Sequence, residues 1–264
     1  MDIIVISLDP AFDLQLLQRM FPGNVVQIQQ GVDVRTSSPL NLYRCGLIGV
    51  LGYYNLTRGR KWHHELNSLG GVGLANANVL ALEKSSAPLL LLEDDFVVRD
   101  ALTLHNSVNT LRMHDSSFDI AVFGPHNVLD RKLTERVSFM PDGWYWLPPG
   151  AIFHGLHCCF YSANGRARTH TYLKKLPIDM QLDSVYSMLV ELEGFRIMVQ
   201  VPGVVKQSFH LSSIQTDWCV LCHISPKQVD SVMRHHKYSA LVVAALLVAL
   251  VAVGVSRSRR TTTY

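Results

Sequence analysis

The chain has 264 residues, enough for a sizeable core in one large domain or two small ones, and its 48% hydrophobic and 17% charged content is ordinary for a globular protein. A formal net charge of +3, with 12 histidines neutral and no basic stripe interleaved with aromatics, argues against polyanion binding, so no nucleic-acid partner is expected. Five cysteines, an odd number, exclude a complete disulfide framework.

Met1-Asp2 leads straight into Ile3-Ile4-Val5-Ile6 with no basic n-region, so no N-terminal signal peptide is expected. Asp2 to Leu8 reads as a first buried strand ended by Asp9-Pro10. Ala11 to Met20 carries Phe12, Leu16, Leu17 and Met20 at helical spacing, and Pro22-Gly23 then turns the chain into a second strand at Val25-Val26-Gln27-Ile28. Strand, helix, strand is the opening of an α/β sheet. Leu42 to Lys61 has no clear period; Asn55-Leu56-Thr57 within it is a glycosylation sequon by pattern, meaningful only in a lumen. Gly70-Gly71-Val72-Gly73 opens a helix running to Lys84. Glycines there suit either a phosphate cradle or the turn into the helix.

Leu89-Leu90-Leu91-Leu92 runs directly into Glu93-Asp94-Asp95, and apolar residues resume at Phe96. Four leucines in a row suit a strand buried on both faces. Three adjacent carboxylates cannot lie inside it, so they belong at its C-terminal end, where open α/β sheets hold ligands. Carboxylates this close repel unless a cation sits between them, and hard oxygen donors suit Mg²⁺ or Mn²⁺. The alternative is an acidic turn in which Asp94 or Asp95 caps a following helix.

A helix is expected over Ala101 to Met113 and a buried strand over Phe118 to Phe123. Asn127 to Pro149 reads as a loop-rich excursion ending in Trp144-Tyr145-Trp146, aromatics for either a sugar ring or the core. Gly155 to Ser162 is a strand entering a short helix from Asn164. Leu176 to Asp183 begins another helix with Asp179 in its first turn, and Phe195 to Pro202 is a further strand. Val205 to Ser208 with Ser212 to Gln215 closes the domain. Cys219-Val220-Leu221-Cys222-His223 matches haem-attachment spacing and a CxxC zinc half-site, with His157, Cys158 and Cys159 as further zinc ligands; free, partly buried thiols are the simpler account.

Tyr238 to Val255 is almost wholly apolar and is followed by Arg257, Arg259 and Arg260. As a helix it would span about 27 Å, close to a bilayer core of roughly 30 Å. The expected organisation is a domain over 1–225, a basic juxtamembrane linker over 226–237, a single C-terminal transmembrane helix over 238–255 and a short basic tail over 256–264. The expected location is therefore a membrane. Lys227, Arg234 and Lys237 before the span roughly balance the arginines beyond it, so orientation stays open.

Taken together these stretches resemble glycosyltransferase family 25, which includes lipopolysaccharide and collagen galactosyltransferases and has members in bacteria, animals and large DNA viruses. The resemblance lies in Ile4 to Asp9, in Gly71 to Glu83 followed by Leu91-Leu92-Glu93-Asp94-Asp95, in Gly155 to Gly165, in Pro177-Ile178-Asp179, and in Gln207-Ser208 near Ser213. Leu74 and Ala77-Asn78 stand where that family usually has Cys and Ser-His. The resemblance implies a GT-A-type α/β fold with a mostly parallel central sheet, a UDP-sugar donor, a divalent cation, usually Mn²⁺, and inverting transfer of a hexose such as galactose or glucose. It implies Glu93 and Asp95 as metal ligands, Asp94, Asp33 and Asn78 at the donor, and Asp179 or, second, Asp183 as the base. The acceptor would be a glycan, a lipid-linked saccharide or a protein. Two other classes remain: a membrane-anchored but catalytically inactive binder of the same fold, and a metal-dependent phosphoesterase, for which Asp119 is the one further acid on a neighbouring strand.

Overall fold

Apolar runs become the inner strands of one sheet, and alternate residues of each serve its opposite faces. The computed structural model describes residues 1–59, 64–66, 68–85, 88–129 and 131–208. In chain order the first half comprises β1 (Asp2–Ser7), α1 (Gln15–Met20), β2 (Val25–Gln30), α2 (Pro39–Arg44), α3 (Val50–Arg58), α4 (Leu69–Lys84), β3 (Leu89–Glu93) and β4 (Phe96–Val98). Then follow α5 (Ala101–Met113), β5 (Ile120–Phe123), β6 (Asn127–Leu129), β7 (Trp144–Trp146), β8 (Ile152–His154) and β9 (Cys158–Tyr161). The last described elements are α6 (Ala163–Lys175), α7 (Leu182–Glu193), β10 (Ile197–Gln200) and β11 (Val205–Gln207).

Seven strands form the central sheet in the order β2-β1-β3-β9-β5-β10-β7. β1 is parallel to β2 and β3, and β10 to β5, whereas β9 runs antiparallel between β3 and β5, and β7 antiparallel on β10. The fold is thus mixed α/β with a mostly parallel sheet, as expected. Two small antiparallel pairs, β4 with β11 and β6 with β8, sit outside it. On one face Ile4, Leu89, Leu91, Ile120 and Val122 pack under Ala77, Ala81 and Leu82 of α4 and Tyr186 and Leu189 of α7. On the other, Ile3, Val5, Leu90, Leu92 and Phe123 pack under Leu17 of α1 and Leu104, Val108 and Leu111 of α5. The four leucines of β3 are each 3% exposed or less, and burial of each contributes about 2 kcal/mol.

The sequence and the structure differ where side chains redirect the backbone. The helix expected from Ala11 begins only at Gln15, because Asp9 and Asp13 accept the amides of Ala11 and Gln15, both at 2.8 Å, and hold the chain in turns. The helix expected before Asp183 begins at Leu182, so Asp179 precedes it. Residues 178–181 are instead drawn toward other loops: Ile178 N donates to Leu47 O at 3.0 Å, Gln181 N to His64 O at 3.1 Å, and Met180 bridges to Glu65. The stretch from Leu42 to Arg58, without a clear period in the sequence, ends α2 and forms α3. The segment from Asn164 lies in a full 13-residue helix, α6, capped by Ser162.

Three alternatives close. Asp100, which accepts the Thr103 amide at 3.0 Å, caps α5, so neither Asp94 nor Asp95 does. Trp144 is 1% exposed and edge-on to Phe123, with Trp146 under the Arg196 guanidinium at 4.5 Å, so the aromatic cluster belongs to the core. Cys158 and Cys159 are free, buried and on opposite faces of the sheet, so they do not converge on one metal. Asn55 of the sequon is 7% exposed, with its Oδ1 accepting from Arg58 at 3.1 Å. The apolar run 238–255, the Cys219–His223 motif and Ser212 to Gln215 lie outside the described residues. Among the described residues no helix is long and apolar enough to cross a membrane.

Candidate active site

Glu93 is the last residue of β3, and Asp94 and Asp95 turn the chain into β4. The acids are fixed by the sheet on both sides: Glu93 N donates to His157 O beside β9, and Asp94 N to Ile6 O of β1, each at 3.1 Å. Ser7, at the C-terminal end of β1, donates its hydroxyl to Asp94 Oδ2 at 2.7 Å. Asp95 is held from β11: Gln207 Nε2 donates to its Oδ2, and Ser208 N to its main-chain oxygen at 2.6 Å. His126 Nε2 meets Gln207 Oε1 at 2.7 Å and fixes that amide in turn. The other oxygen of Asp95, Oδ1, is buried and makes no hydrogen bond to the described residues.

Asp183, in the first turn of α7, joins the group from the other side. Its carboxylate accepts Ser184 N at 2.7 Å and Gly155 N at 3.3 Å, with His154 Nδ1 at 3.6 Å. Burial, then the charges of Asp95, Asp183 and Asp94, push the Glu93 carboxyl well above the usual range. Among the described residues, the charges that raise it are those of three other carboxylates. Burial raises Asp95 as well, partly offset by the hydrogen bond from Gln207. His157, behind the acids, is buried beside His126 and lowered to about 4, so it is neutral at pH 7.

A divalent cation fits this chemistry. The Oδ1 of Asp95 makes no hydrogen bond to the described residues, and burial, then neighbouring carboxylates, raises both Glu93 and Asp95, as suits groups beside a bound cation. Among the described residues no group of three or more His, Cys, Asp and Glu side chains would hold a metal ion alone. Mg²⁺ sites commonly use one or two carboxylates, with waters and substrate phosphates completing the shell.

Beside the acids lies a shallow open cleft with about 40 Å³ of room for water, lined among others by Ser7, Asp33, Arg35, Gly73, Glu93 and Asp94. Asp33 and Arg35 are paired at 2.6 Å on its wall, and the Arg35 hydrogen bonds hold the Asp33 carboxyl down at about 2. A Cβ on Gly73 would stand 2.1 Å from Val32 O, so glycine is required where α4 passes the segment after β2. Gly70 and Gly73 reach the cleft, whereas the Gly71 amide is used by Ser68, the cap of α4, at 3.0 Å.

Two of the residues singled out in the sequence are engaged elsewhere. Asn78 is 3% exposed and returns its amide to Leu74 O of its own helix at 3.0 Å, while Leu74 and Ala77 line the cleft. Asp179 Oδ1 accepts the Gly52 amide in the first turn of α3 at 2.7 Å, serving as the cap that Gly49 cannot supply. Gly49 is needed there for room, since a Cβ would sit 2.3 Å from Asp179 Oδ2. Asp119 lies at the opposite end of the sheet. It precedes Ile120, which pairs with Tyr161, as does Leu89 at the start of β3. It is bound by Arg168 at 2.8 Å, so a second metal position shared with Glu93 has no support from it.

Sequence reasoning did not single out His126, His154 or Gln207 as working side chains. His126 and His154 meet through the β6–β8 pair, where His126 N donates to His154 O at 2.7 Å, and no local motif announces that. Ser7 had a usable signal: it ends the strand adjacent to β3, at the same edge as the acids.

No protein-family model and no curated protein sequence matches the chain. Among solved structures it is similar to a mannose-1-phosphate geranyltransferase from Thermus thermophilus, with 13% identity over 76% of this chain and 73% of that one and a TM-score of 0.37. It is also similar to a UDP-glucose pyrophosphorylase complexed with UDP-glucose, with 9% identity, coverage of 75% and 89% and a TM-score of 0.39. A CMP:2-keto-3-deoxy-manno-octonic acid synthetase complexed with CTP gives 13% identity, coverage of 78% and 92% and a TM-score of 0.39. Likeness at this level leaves function to be argued from the site.

Proposed function

We propose that the chain is a metal-dependent glycosyltransferase that moves a hexose, galactose or glucose, from a UDP-sugar to a glycan, lipid-linked or protein acceptor with inversion. The observation that carries this reading is the cluster of Glu93, Asp94, Asp95 and Asp183 at the carboxyl edge of a mostly parallel sheet, beside an open cleft. The family 25 resemblance of the sequence points the same way.

In this reading Glu93 and Asp95 hold Mn²⁺ or Mg²⁺, which when bound neutralises charge on a departing diphosphate. Asp94, oriented by Ser7, and Asp33 face the donor from the cleft wall. Asp183 takes the proton of the acceptor hydroxyl as it attacks the anomeric carbon directly. The amides of Gly155 and Ser184 hold its carboxylate in place for that step. Asp179 keeps the structural role of capping α3, and Asn78 that of packing within α4. The membrane reading of residues 238–255 belongs to the same proposal and rests on their sequence alone.

Titration of UDP-galactose and UDP-glucose into the purified chain, with and without Mn²⁺, tests the reading. Metal-dependent binding with UDP release, both lost in Asp95→Asn, is the expected result. Asp183→Asn should retain binding and lose UDP release. A second reading, a non-catalytic binder of the same fold, draws on the buried, self-bonded Asn78 and on Leu74 at the cleft. Binding of no nucleotide sugar in Mn²⁺ would overturn the transferase in its favour.

A further inference from the structure

His126 and Gln207 come from separate segments that the fold pins together at one point. Gly124, just after β5, and Gly203, just before β11, pass so closely that a Cβ on either would stand 2.8 or 2.1 Å from the Cα of the other. Glycine is required at both. Two residues beyond Gly124 comes His126, whose own amide donates to His154 O at 2.7 Å. Beyond Gly203 the chain is held through Val204 O, which accepts Arg99 N at 2.8 Å. The pairing of β11 with β4 then sets Gln207 opposite Phe96, the residue after Asp95. The 2.7 Å contact between the His126 ring and the Gln207 amide therefore rests on fixed backbone at both ends.

The hydrogens along this path have one consistent arrangement. Asp95, ionised as a cation ligand must be, accepts hydrogen bonds and donates none. Gln207 must then turn its Nε2 to Asp95 Oδ2, which leaves its Oε1 facing His126. His126 Nε2 has to carry the hydrogen that Oε1 accepts. Among the described residues the Gln207 amide has no other side-chain or backbone partner. Without the histidine it would be free to leave the carboxylate for water.

On the reading that Glu93 and Asp95 hold the cation, we propose that His126, acting through Gln207, is a positioning residue for Asp95. The relay keeps Oδ2 occupied, so the buried Oδ1 is the oxygen left for the metal. An amide suits this task where a cation would not. It fixes the direction of the carboxylate and leaves its charge uncancelled, whereas a lysine at position 207 would neutralise that charge and compete with the metal. Removing the hydrogen-bond partner of a metal ligand typically weakens metal binding by about 10–100-fold.

The test titrates Mn²⁺ alone into the full chain, follows free Mn²⁺ by electron paramagnetic resonance, and measures the unfolding midpoint without metal. The unmodified chain should bind, and Asp95→Asn should not. Gln207→Ala should weaken binding about tenfold, and His126→Ala about threefold, the share of one exposed hydrogen bond. Neither should lower the metal-free midpoint, since His126 is exposed and Gln207 lies outside the core clusters. In the Gln207→Ala background His126→Ala should change nothing further, because the histidine acts only through the amide. His126→Gln keeps a donor and should restore the affinity. Gln207→Lys should abolish Mn²⁺ binding and raise the metal-free midpoint. Full affinity in His126→Ala, or a loss that persists in the Gln207→Ala background, would overturn the relay and leave the metal site standing. A metal-free midpoint that falls in His126→Ala would also overturn it, by making the histidine a residue of the fold. No binding by the unmodified chain would overturn the relay and the metal reading together.

Discussion

The sheet carries a buried carboxylate at each edge, and the two are treated in opposite ways. At the amino edge Asp119 is compensated: Arg168 binds both of its carboxylate oxygens at 2.8–2.9 Å, and Arg196 N adds a third donor at 2.8 Å. At the carboxyl edge Glu93 has three carboxylates for charged neighbours, and Asp95 has a neutral amide and an oxygen without a partner. A carboxylate that exists to hold a fold together is neutralised by the fold. One left short of positive charge among the described residues is where a bound cation would be stabilising.

This contrast gives measurable differences, the largest at the amino edge. Asp119→Ala strands Arg168 and the Arg196 amide and should cost about 4 kcal/mol in urea denaturation. A loss under about 1 kcal/mol would mean that Asp119 is no better integrated than the acids opposite.

His157 sharpens the comparison because it sits at the acidic edge yet is kept neutral by burial. Its folded value of about 4 lies below the ordinary 6.5. The stability it protects is therefore complete above pH 6.5 and is lost as pH falls toward 4. The difference between pH 7 and pH 4 should shrink by about 3 kcal/mol in His157→Gln. Glu93 works against this: its raised carboxyl binds protons in the folded state first, so acidification from pH 7 stabilises through that group down to the ordinary range near 4.5.

Addition of Mn²⁺ should convert the repulsive edge into a stabilising one. At a hundred times its dissociation constant it should raise unfolding free energy by about 2.7 kcal/mol. Asp95→Asn should remove that gain, and Asp119→Asn should retain it. The smallest effect has the opposite sign to most core mutations: Glu93→Gln without metal should gain about 1 kcal/mol at pH 8 by deleting one repelling charge. A loss there would show the acids to be already compensated in the fold.

Six strands of the central sheet were legible as apolar stretches, and the acids had to end β3 because three charges could not enter its core. The three-residue strands β4, β6, β7, β8 and β11 were not, two of them lying in the stretch read as a loop-rich excursion. Helix α5 was legible to the residue, since Asp100 and the spacing of Leu104, Val108 and Leu111 agree. What escaped local reading depends on remote partners. Asp179 sits next to a helical pattern, but its carboxylate is claimed by Gly52, far back in the chain. Asp183 was legible as an acid near a helix start, yet its nearness to Glu93 depends on how α7 packs on the sheet. Gln207 reaches Asp95 only because β11 pairs with β4, a register that three residues of either strand do not announce. Trp144 could have served a ligand or the core with equal right until β7 paired with β10.

The amides of Glu93 and Asp94 close the ladders that β3 makes with its two neighbours. To loosen these residues, the protein must part strands that run through the middle of its core. In amide hydrogen exchange both should therefore be among the slow sites, released with the sheet itself rather than with surface loops. The placement of Glu93 and Asp94 is then inherited from the global stability of the domain, whereas Asp95 depends on the separate β4–β11 pair that holds it.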